Sequence, residues 1–391
     1  MGSPYPCGRQ GSRNAAQPRG TGIGDMSDRD LAAPSLAGKA EPVVITGGSG
    51  FIGSNLADSL LASGEEVVIL DNLSRPGVDQ NLSWLKENHG PRVHTLIADI
   101  RDLQAIEPAF ADAKAVFHLA GQTAVTTSLS EPFLDFDVNA RGTLNVLQAA
   151  RRSKHPTPVI FASTNKVYGA LDDLKLIERE DRYVPAAPDI YHHGIGEDRG
   201  LDFCTPYGCS KGAADQYVLD YAKSFDIPTA VLRMSCVYGP RQFGNEDQGW
   251  VAHFLIRALE NQPITIYGDG KQVRDILHVR DAVAAYRTLL RSIDSVRGQA
   301  FNLGGGPANA VSLRHVLGEI AQITRRECVI EHADWRPADQ AYFVADTRSL
   351  QRQLEWKATI AWRDGLRDLA AWLRSNRGLD APLSGRERIS A

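Results

Sequence analysis

Tyr207 and Lys211, in Pro206-Tyr207-Gly208-Cys209-Ser210-Lys211, are spaced i and i+4, which sets both side chains on one face of a helix. An ammonium beside a phenol favours the tyrosinate and pulls its pKa from about 10 toward the range of a working general base. By itself the spacing also fits an ordinary solvated helix face. A second hydroxyl, Thr164, follows the apolar run Val159 to Ala162, within Ser163-Thr164-Asn165-Lys166-Val167-Tyr168-Gly169. The carboxyl end of a parallel strand is where a doubly wound sheet gathers its ligands, although a hydroxyl there can equally bond to nearby backbone.

A different chemistry is written into Val43-Val44-Ile45-Thr46-Gly47-Gly48-Ser49-Gly50-Phe51-Ile52-Gly53, a glycine-rich turn between a β-branched run and a helical pattern. Glycines allow the tight turn and close backbone approach, and the free N–H groups of a helix N-terminus attract a pyrophosphate. The second β-branched run ends at Asp71, about the 20 residues farther on at which a carboxylate can hold both ribose hydroxyls of an adenosine. That carboxylate repels a 2′-phosphate, so NAD is expected over NADP; Arg75 is the nearby residue that could receive such a phosphate. The positive ring of an oxidised nicotinamide would add to the pull on the phenol.

These residues need strands to aim them. Short β-branched runs at Val43 to Thr46, Val67 to Leu70, Val93 to Ile97, Ala115 to Leu119, Val159 to Ala162 and Thr229 to Arg233 alternate with helical patterns at Ile52 to Ala62, Phe133 to Arg152 and Tyr207 to Phe225. The alternation predicts an α/β fold of the Rossmann type, a doubly wound parallel sheet, with a smaller C-terminal substrate-binding domain. Past Cys236 the pattern loosens to helices near Gln248 to Glu260, Leu313 to Ile323 and Trp362 to Arg374. The expected division is a cofactor domain over 41–235, rejoined by 275–304, and a substrate domain over 236–274 and 305–376. Residues 1–40, rich in Gly, Ser, Pro, Ala and Arg, read as a disordered leader, and 377–391 as a polar tail.

Composition narrows the class. With 43 basic and 47 acidic residues in 391, no basic excess suggests nucleic acid as a partner. Five cysteines, without a C-x-x-C pair or interleaved His ligands, argue against a disulfide framework and a zinc site, and a reducing cytoplasmic compartment fits best. No apolar run approaches the roughly 18 residues of a membrane span, so no membrane is expected as a partner.

The Gly47-x-x-Gly50-x-x-Gly53 spacing, followed in order by Asp99-Ile100, His118-Leu119-Ala120-Gly121, Asn139, Thr164 and Tyr207/Lys211, resembles the extended short-chain dehydrogenase/reductase superfamily, the NAD-dependent epimerases and dehydratases. The resemblance implies tightly held NAD contacted by Gly47, Gly50, Phe51, Ile52, Gly53, Asp71, Asn72, Asp99, Ile100, Leu119, Ala120, Gly121, Gln122, Asn139, Tyr207 and Lys211. It implies a catalytic trio of Tyr207 as base, Lys211 on the nicotinamide ribose and Thr164 on the reacting hydroxyl, with no metal. The superfamily's dehydratases continue Thr-Asp-Glu at this place; Asn165 and Lys166 lack both carboxylates, which leaves redox without elimination. Gly268-Asp269-Gly270-Lys271-Gln272-Val273-Arg274-Asp275 and Trp335-Arg336-Pro337-Ala338-Asp339 resemble the segments that hold a nucleotide-diphosphate sugar. Arg274 and Arg336 are then expected on phosphate, Asp339 on the nucleoside ribose, and Gln242 and Thr164 also on substrate. Cys236 stands where most relatives have Asn, so the usual diphosphate contact is lost and a packing role is expected.

The blocks Ser163 to Gly169, Pro206 to Tyr217, Asp247 to Val251 and Gly270 to Asp275 are similar to the branch that epimerises CDP-sugars at C2, implying CDP-paratose and CDP-tyvelose as the substrate pair. Oxidation at C4 of a UDP-hexose, and a non-catalytic dinucleotide sensor, are the alternatives. The superfamily's habit implies a homodimer or homotetramer.

Overall fold

Val43-Val44-Ile45, Val67-Val68-Ile69-Leu70 and Val159-Ile160-Phe161 are unbroken apolar runs, the mark of strands covered on both faces, and all are fully buried in the computed structural model, which describes residues 41–378. The expected leader, 1–40, and all but the first two residues of the expected tail lie outside the described residues. In chain order the strands are β1 Val43–Thr46, β2 Val67–Asp71, β3 Val93–Ile97, β4 Ala115–His118, β5 Val159–Thr164, β6 Leu176–Glu178, β7 Tyr183–Pro185, β8 Thr229–Met234, β9 Cys236–Tyr238, β10 Ile264–Tyr267, β11 Val273–His278, β12 Gln299–Leu303, β13 Ala310–Ser312, β14 Ile330–Ala333 and β15 Tyr342–Phe343.

Seven strands form one parallel sheet in the order β3-β2-β1-β4-β5-β8-β12, as the Rossmann-type reading requires. Successive strand residues point to opposite faces, so each strand feeds two cores. On one face Ile45, Ile69 and Phe117 pack under Leu56 and Leu61 of helix Phe51–Ala62 and Tyr286 and Leu289 of helix Val279–Arg291. On the other, Val44, Val68 and Val116 meet Val146 and Leu147 of helix Gly142–Arg152 and Val218 and Tyr221 of helix Thr205–Ser224. A third core joins helices Trp250–Leu259, Leu313–Thr324 and Trp362–Asn376 to β10, β11 and β13.

The division between the two parts differs from the expected one in two places. Asp275 to His278 belong to β11, which pairs with β9, β13 and β15 in the second part; the chain rejoins the large sheet with helix Val279–Arg291 and β12. Helix Arg348–Leu354 brings Leu350, Leu354 and the following Trp356 into the core under that sheet, although the sequence pattern puts 305–376 in the second part. Periodicity reports that a face is apolar; it carries no record of which partner covers it.

The single helix expected over Phe133 to Arg152 is interrupted. Helix Pro132–Phe136 passes through a π-helical turn, Asp137–Arg141, into helix Gly142–Arg152. One extra residue in a turn leaves the apolar pattern nearly intact, so the sequence conceals it, and such turns recur at functional sites. Here it carries Asn139.

Candidate active site

The glycine-rich turn is tight for physical reasons. Gly47 has φ +68°, and a Cβ on it would lie 2.7 Å from the Ala120 nitrogen; one on Gly53 would lie 2.3 Å from the Gly47 carbonyl oxygen. Helix Phe51–Ala62 therefore starts flush against β1, with Gly50 as its N-cap. No side chain caps the first-turn N–H groups of Phe51, Ile52 and Gly53, no acid lies in that turn, and the Ser49 hydroxyl is buried without a partner. This positive, uncapped end fits the pyrophosphate of a dinucleotide.

Around it the structure gathers the other residues expected on the cofactor, along the carboxyl ends of β1 to β4, where the strand order reverses. Asp71 accepts from the Ser49 N–H at 3.0 Å and the Leu73 N–H at 2.9 Å; burial pushes its carboxyl up, against the pull of those bonds and of Arg75. Asn72 donates to Asp99 at 2.9 Å, tying the β2 and β3 ends, and Arg101 holds the Asp99 carboxyl down at about 2. Ile100 is buried, close to where a side chain on Gly142 would reach. Leu119 and Ala120 donate to the backbone oxygen and hydroxyl of Thr46 at 3.0 and 3.2 Å. Asn139 accepts from the Gln122 N–H at 2.9 Å and its amide nitrogen reaches the Gln122 carbonyl, Asp135 and Ser210 at 3.0 to 3.1 Å. Asn139 thus sets the Gly121-Gln122 loop against the helix that bears Tyr207.

The three expected catalytic residues converge. Thr164 ends β5 and Tyr207 lies in the first turn of helix Thr205–Ser224, both 7% exposed; the Thr164 hydroxyl donates to Asn165 Oδ1 at 3.3 Å and sits near enough to the phenol to lower its pKa. Ser163, one residue earlier and therefore on the opposite face, donates to Asp215 at 2.8 Å and is turned away from the phenol. Lys211 is buried one turn beyond Tyr207; its Nζ donates to the Ala162 carbonyl at 2.6 Å and lies 4.0 Å over the Phe161 ring.

The electrostatics bring a further cation to the phenol. Burial pushes the Tyr207 phenol up, with Asp135 adding to the rise, while Thr164 and the charge of Arg75 pull it down. Arg75, reaching in from beyond the end of β2, thus acts on the phenol as well. Burial drives the Lys211 ammonium down to about 7, opposed by Asp215 and Asp135, because a buried ammonium loses its hydration.

On the substrate side, Arg274 donates to Asp339 at 2.8 Å, and Lys166 Nζ approaches the same carboxylate at 3.5 Å. Burial opposes ionisation of Asp339, yet the two cations outweigh it and hold its carboxyl below the ordinary value. Gln242 donates to the Val237 carbonyl at 3.3 Å while its own carbonyl oxygen is buried without a partner. Arg336 does not join this group: its guanidinium lies 4.0 Å over the Tyr267 ring and donates to the Glu246 carbonyl at 3.0 Å. Cys236 accepts from the Trp250 indole at 3.4 Å at the edge of the third core.

Sequence reasoning left Lys166, Asp135 and Gln340 unassigned. Lys166 carried a signal in its place two residues after Thr164; Asp135 and Gln340, which bonds Asn165 at 3.2 Å, carried none. Among the described residues no cluster of three or more His, Cys, Asp or Glu is placed to hold a metal ion, and no helix is long and apolar enough to cross a membrane.

Residues 43–304 match the NAD dependent epimerase/dehydratase family. Over 339 residues the chain is 41% identical to the CDP-paratose 2-epimerase of Salmonella typhi, covering 85% of this chain and 99% of that protein. Its fold is similar to that of UDP-glucose 4-epimerase from Thermus thermophilus in complex with NAD, with a TM-score of 0.70 and 30% identity over 85% of this chain and 99% of that one. It is also similar to UDP-glucuronic acid 4-epimerase from Bacillus cereus in complex with UDP-glucuronic acid and NAD, with a TM-score of 0.73 and 27% identity over 86% and 99%.

Proposed function

The chain belongs to the NAD dependent epimerase/dehydratase family, with NAD as its cofactor, and from that premise we propose that it inverts C2 of CDP-paratose to give CDP-tyvelose. The observation that carries the reading is the 41% identity to a CDP-paratose 2-epimerase along 99% of its length. Asn165 and Lys166 agree with it, since neither supplies the carboxylate that expulsion of water would need.

Bound NAD supplies a hydride acceptor that later returns the same hydride, so the cofactor is restored each cycle. Tyr207 Oη takes the proton of the C2 hydroxyl and later returns it. Thr164 Oγ1, beside that phenol, steadies the oxygen as it passes through the ketone. Lys211, anchored on the Ala162 carbonyl, is placed to reach the nicotinamide ribose from the same helix face. Arg274 grips the diphosphate through its planar fork while Asp339 and Gln242 position the nucleotide, leaving the sugar free to present its other face.

The test is to incubate CDP-paratose with the enzyme in deuterated water and follow the product by NMR. Inversion at C2 without deuterium at carbon is expected; a chain that leaves CDP-paratose untouched and inverts only C4 of UDP-hexoses refutes the reading.

We further propose a homodimer, the unit from which a homotetramer would be built by doubling. Helices Val125–Ser130 and Pro132–Phe136 pack beside helix Thr205–Ser224 and leave Phe133 86%, Phe136 53%, Leu129 47% and Tyr217 47% exposed on neighbouring surfaces. Burying such side chains is worth about 1.5–3 kcal/mol apiece, so an apolar face of this kind favours a second copy. Phe133→Asp is expected to shift the sedimentation coefficient to that of a monomer at micromolar concentration; an unchanged oligomer would place the interface elsewhere.

A further inference from the structure

Arg75 follows Asp71 by one short turn, yet its guanidinium makes no hydrogen bond to that carboxylate. It crosses the carboxyl edge of the sheet instead. Nη2 donates to the Gly121 carbonyl at 3.1 Å and to Thr123 Oγ1 at 2.7 Å, in the loop after β4, and Nη1 donates to Gln248 Oε1 from the second part of the molecule. All three partners are uncharged. A half-buried cation is therefore fixed by three bonds with no carboxylate bonded to it, an arrangement that suits an incoming anion.

Its position says which anion. Arg75 follows Asp71 beyond the end of β2 and holds the Gly121 carbonyl in the loop that Asn139 ties to the helix bearing Tyr207, so it stands between those two residues. Asp71 serves the adenosine ribose and Tyr207 the nicotinamide end, so the part of NAD that spans them is the pyrophosphate. The glycine-rich turn agrees, since Gly47 packs onto Ala120, the residue before the carbonyl that Arg75 holds. We propose that Arg75 is a ligand of the cofactor's pyrophosphate, aimed by Thr123 and Gln248, and not a receptor for a 2′-phosphate. Gln248 makes the second part of the molecule a contributor to cofactor retention.

The inference rests on NAD being the cofactor, and the test separates the two. Enzyme stripped of nucleotide is titrated with NADH, followed by nicotinamide fluorescence, and with ADP-ribose and adenosine in competition. Arg75→Ala is expected to weaken NADH and ADP-ribose about 10- to 100-fold, the equivalent of losing charge-assisted hydrogen bonds, and adenosine less than about twofold. Arg75→Lys should recover part of the loss, and Gln248→Ala, which keeps the charge but not its support, should weaken NADH a few-fold. Unchanged NADH and ADP-ribose binding in Arg75→Ala overturns the proposal. So does a loss confined to NADPH, which would make Arg75 a 2′-phosphate receptor, or an equal loss of adenosine with a lowered unfolding temperature, which would make it only a structural tie. Failure of the parent protein to bind NADH would count against the cofactor, not against Arg75.

Discussion

Tyr207→Phe should lower turnover of CDP-paratose by about 10³-fold, within the range of a lost general base, while NAD remains bound after desalting. The substitution removes one oxygen from a ring that is 7% exposed and packed in the first turn of helix Thr205–Ser224, so the fold has no reason to change. What disappears is the group that carries the proton, beside Thr164 Oγ1 and within reach of the Arg75 charge. The phenol is raised by burial, so its proton is held at low pH and turnover should climb as pH rises through its titration. Arg75→Ala removes a downward pull and should move that limb to higher pH. Turnover assayed by NMR and cofactor content read from absorbance decide the matter; activity within tenfold of the parent would remove Tyr207 from its role.

Asp215→Ala should unfold the protein more readily by about 3–5 kcal/mol, the usual cost of stripping one partner from a buried ion pair. Asp215 is fully buried, and its two oxygens accept from Arg233 Nε and Nη2 at 3.0 Å each, with Ser163 Oγ at 2.8 Å on one of them. Burial pulls the Arg233 guanidinium down, but Asp215 holds it above its ordinary value, which is the sense in which the two charges depend on each other. Without Asp215 the charge stays buried with the Tyr168 hydroxyl at 3.1 Å as its remaining hydrogen-bond partner and Glu197 within electrostatic reach. Chemical denaturation measures the loss, and the double variant Asp215→Ala/Arg233→Met should recover part of it. A loss below about 1 kcal/mol would mean that water reaches Arg233 and that the pair is not sealed. Asp215 also supports the Lys211 ammonium, so the same change should depress Lys211 further.

Much of the cofactor side could be read from local order alone. The runs through Val43, Val67, Ala115, Val159 and Thr229 are buried almost throughout and leave a nearly continuous apolar signature, while the Val93 run, at the sheet edge, keeps His94, Thr95 and Ile97 half-buried. The glycines at 47 and 53 are demanded by contacts of 2.7 and 2.3 Å that any side chain would violate, and that demand is visible wherever the turn stands between strand and helix. The i, i+4 spacing of Tyr207 and Lys211 is likewise a property of one helix.

What the sequence could not hold was everything settled between distant elements. Arg75 looked like a neighbour of Asp71, but its bonds run to Gly121, Thr123 and Gln248, 46 to 173 residues away along the chain. Lys211 reads as the cation beside the phenol, but the charge of Arg75, brought in from another strand end, acts there too, and the Lys211 ammonium is buried on the Ala162 carbonyl. The π-helical turn that aims Asn139, the docking of Leu350 and Trp356 beneath the large sheet and the turning of Arg336 onto Tyr267 are of the same kind. Residue type and period determine which backbone forms and which face is apolar. The direction in which a charged side chain finally points depends on desolvation and on partners that only the packed chain brings within reach.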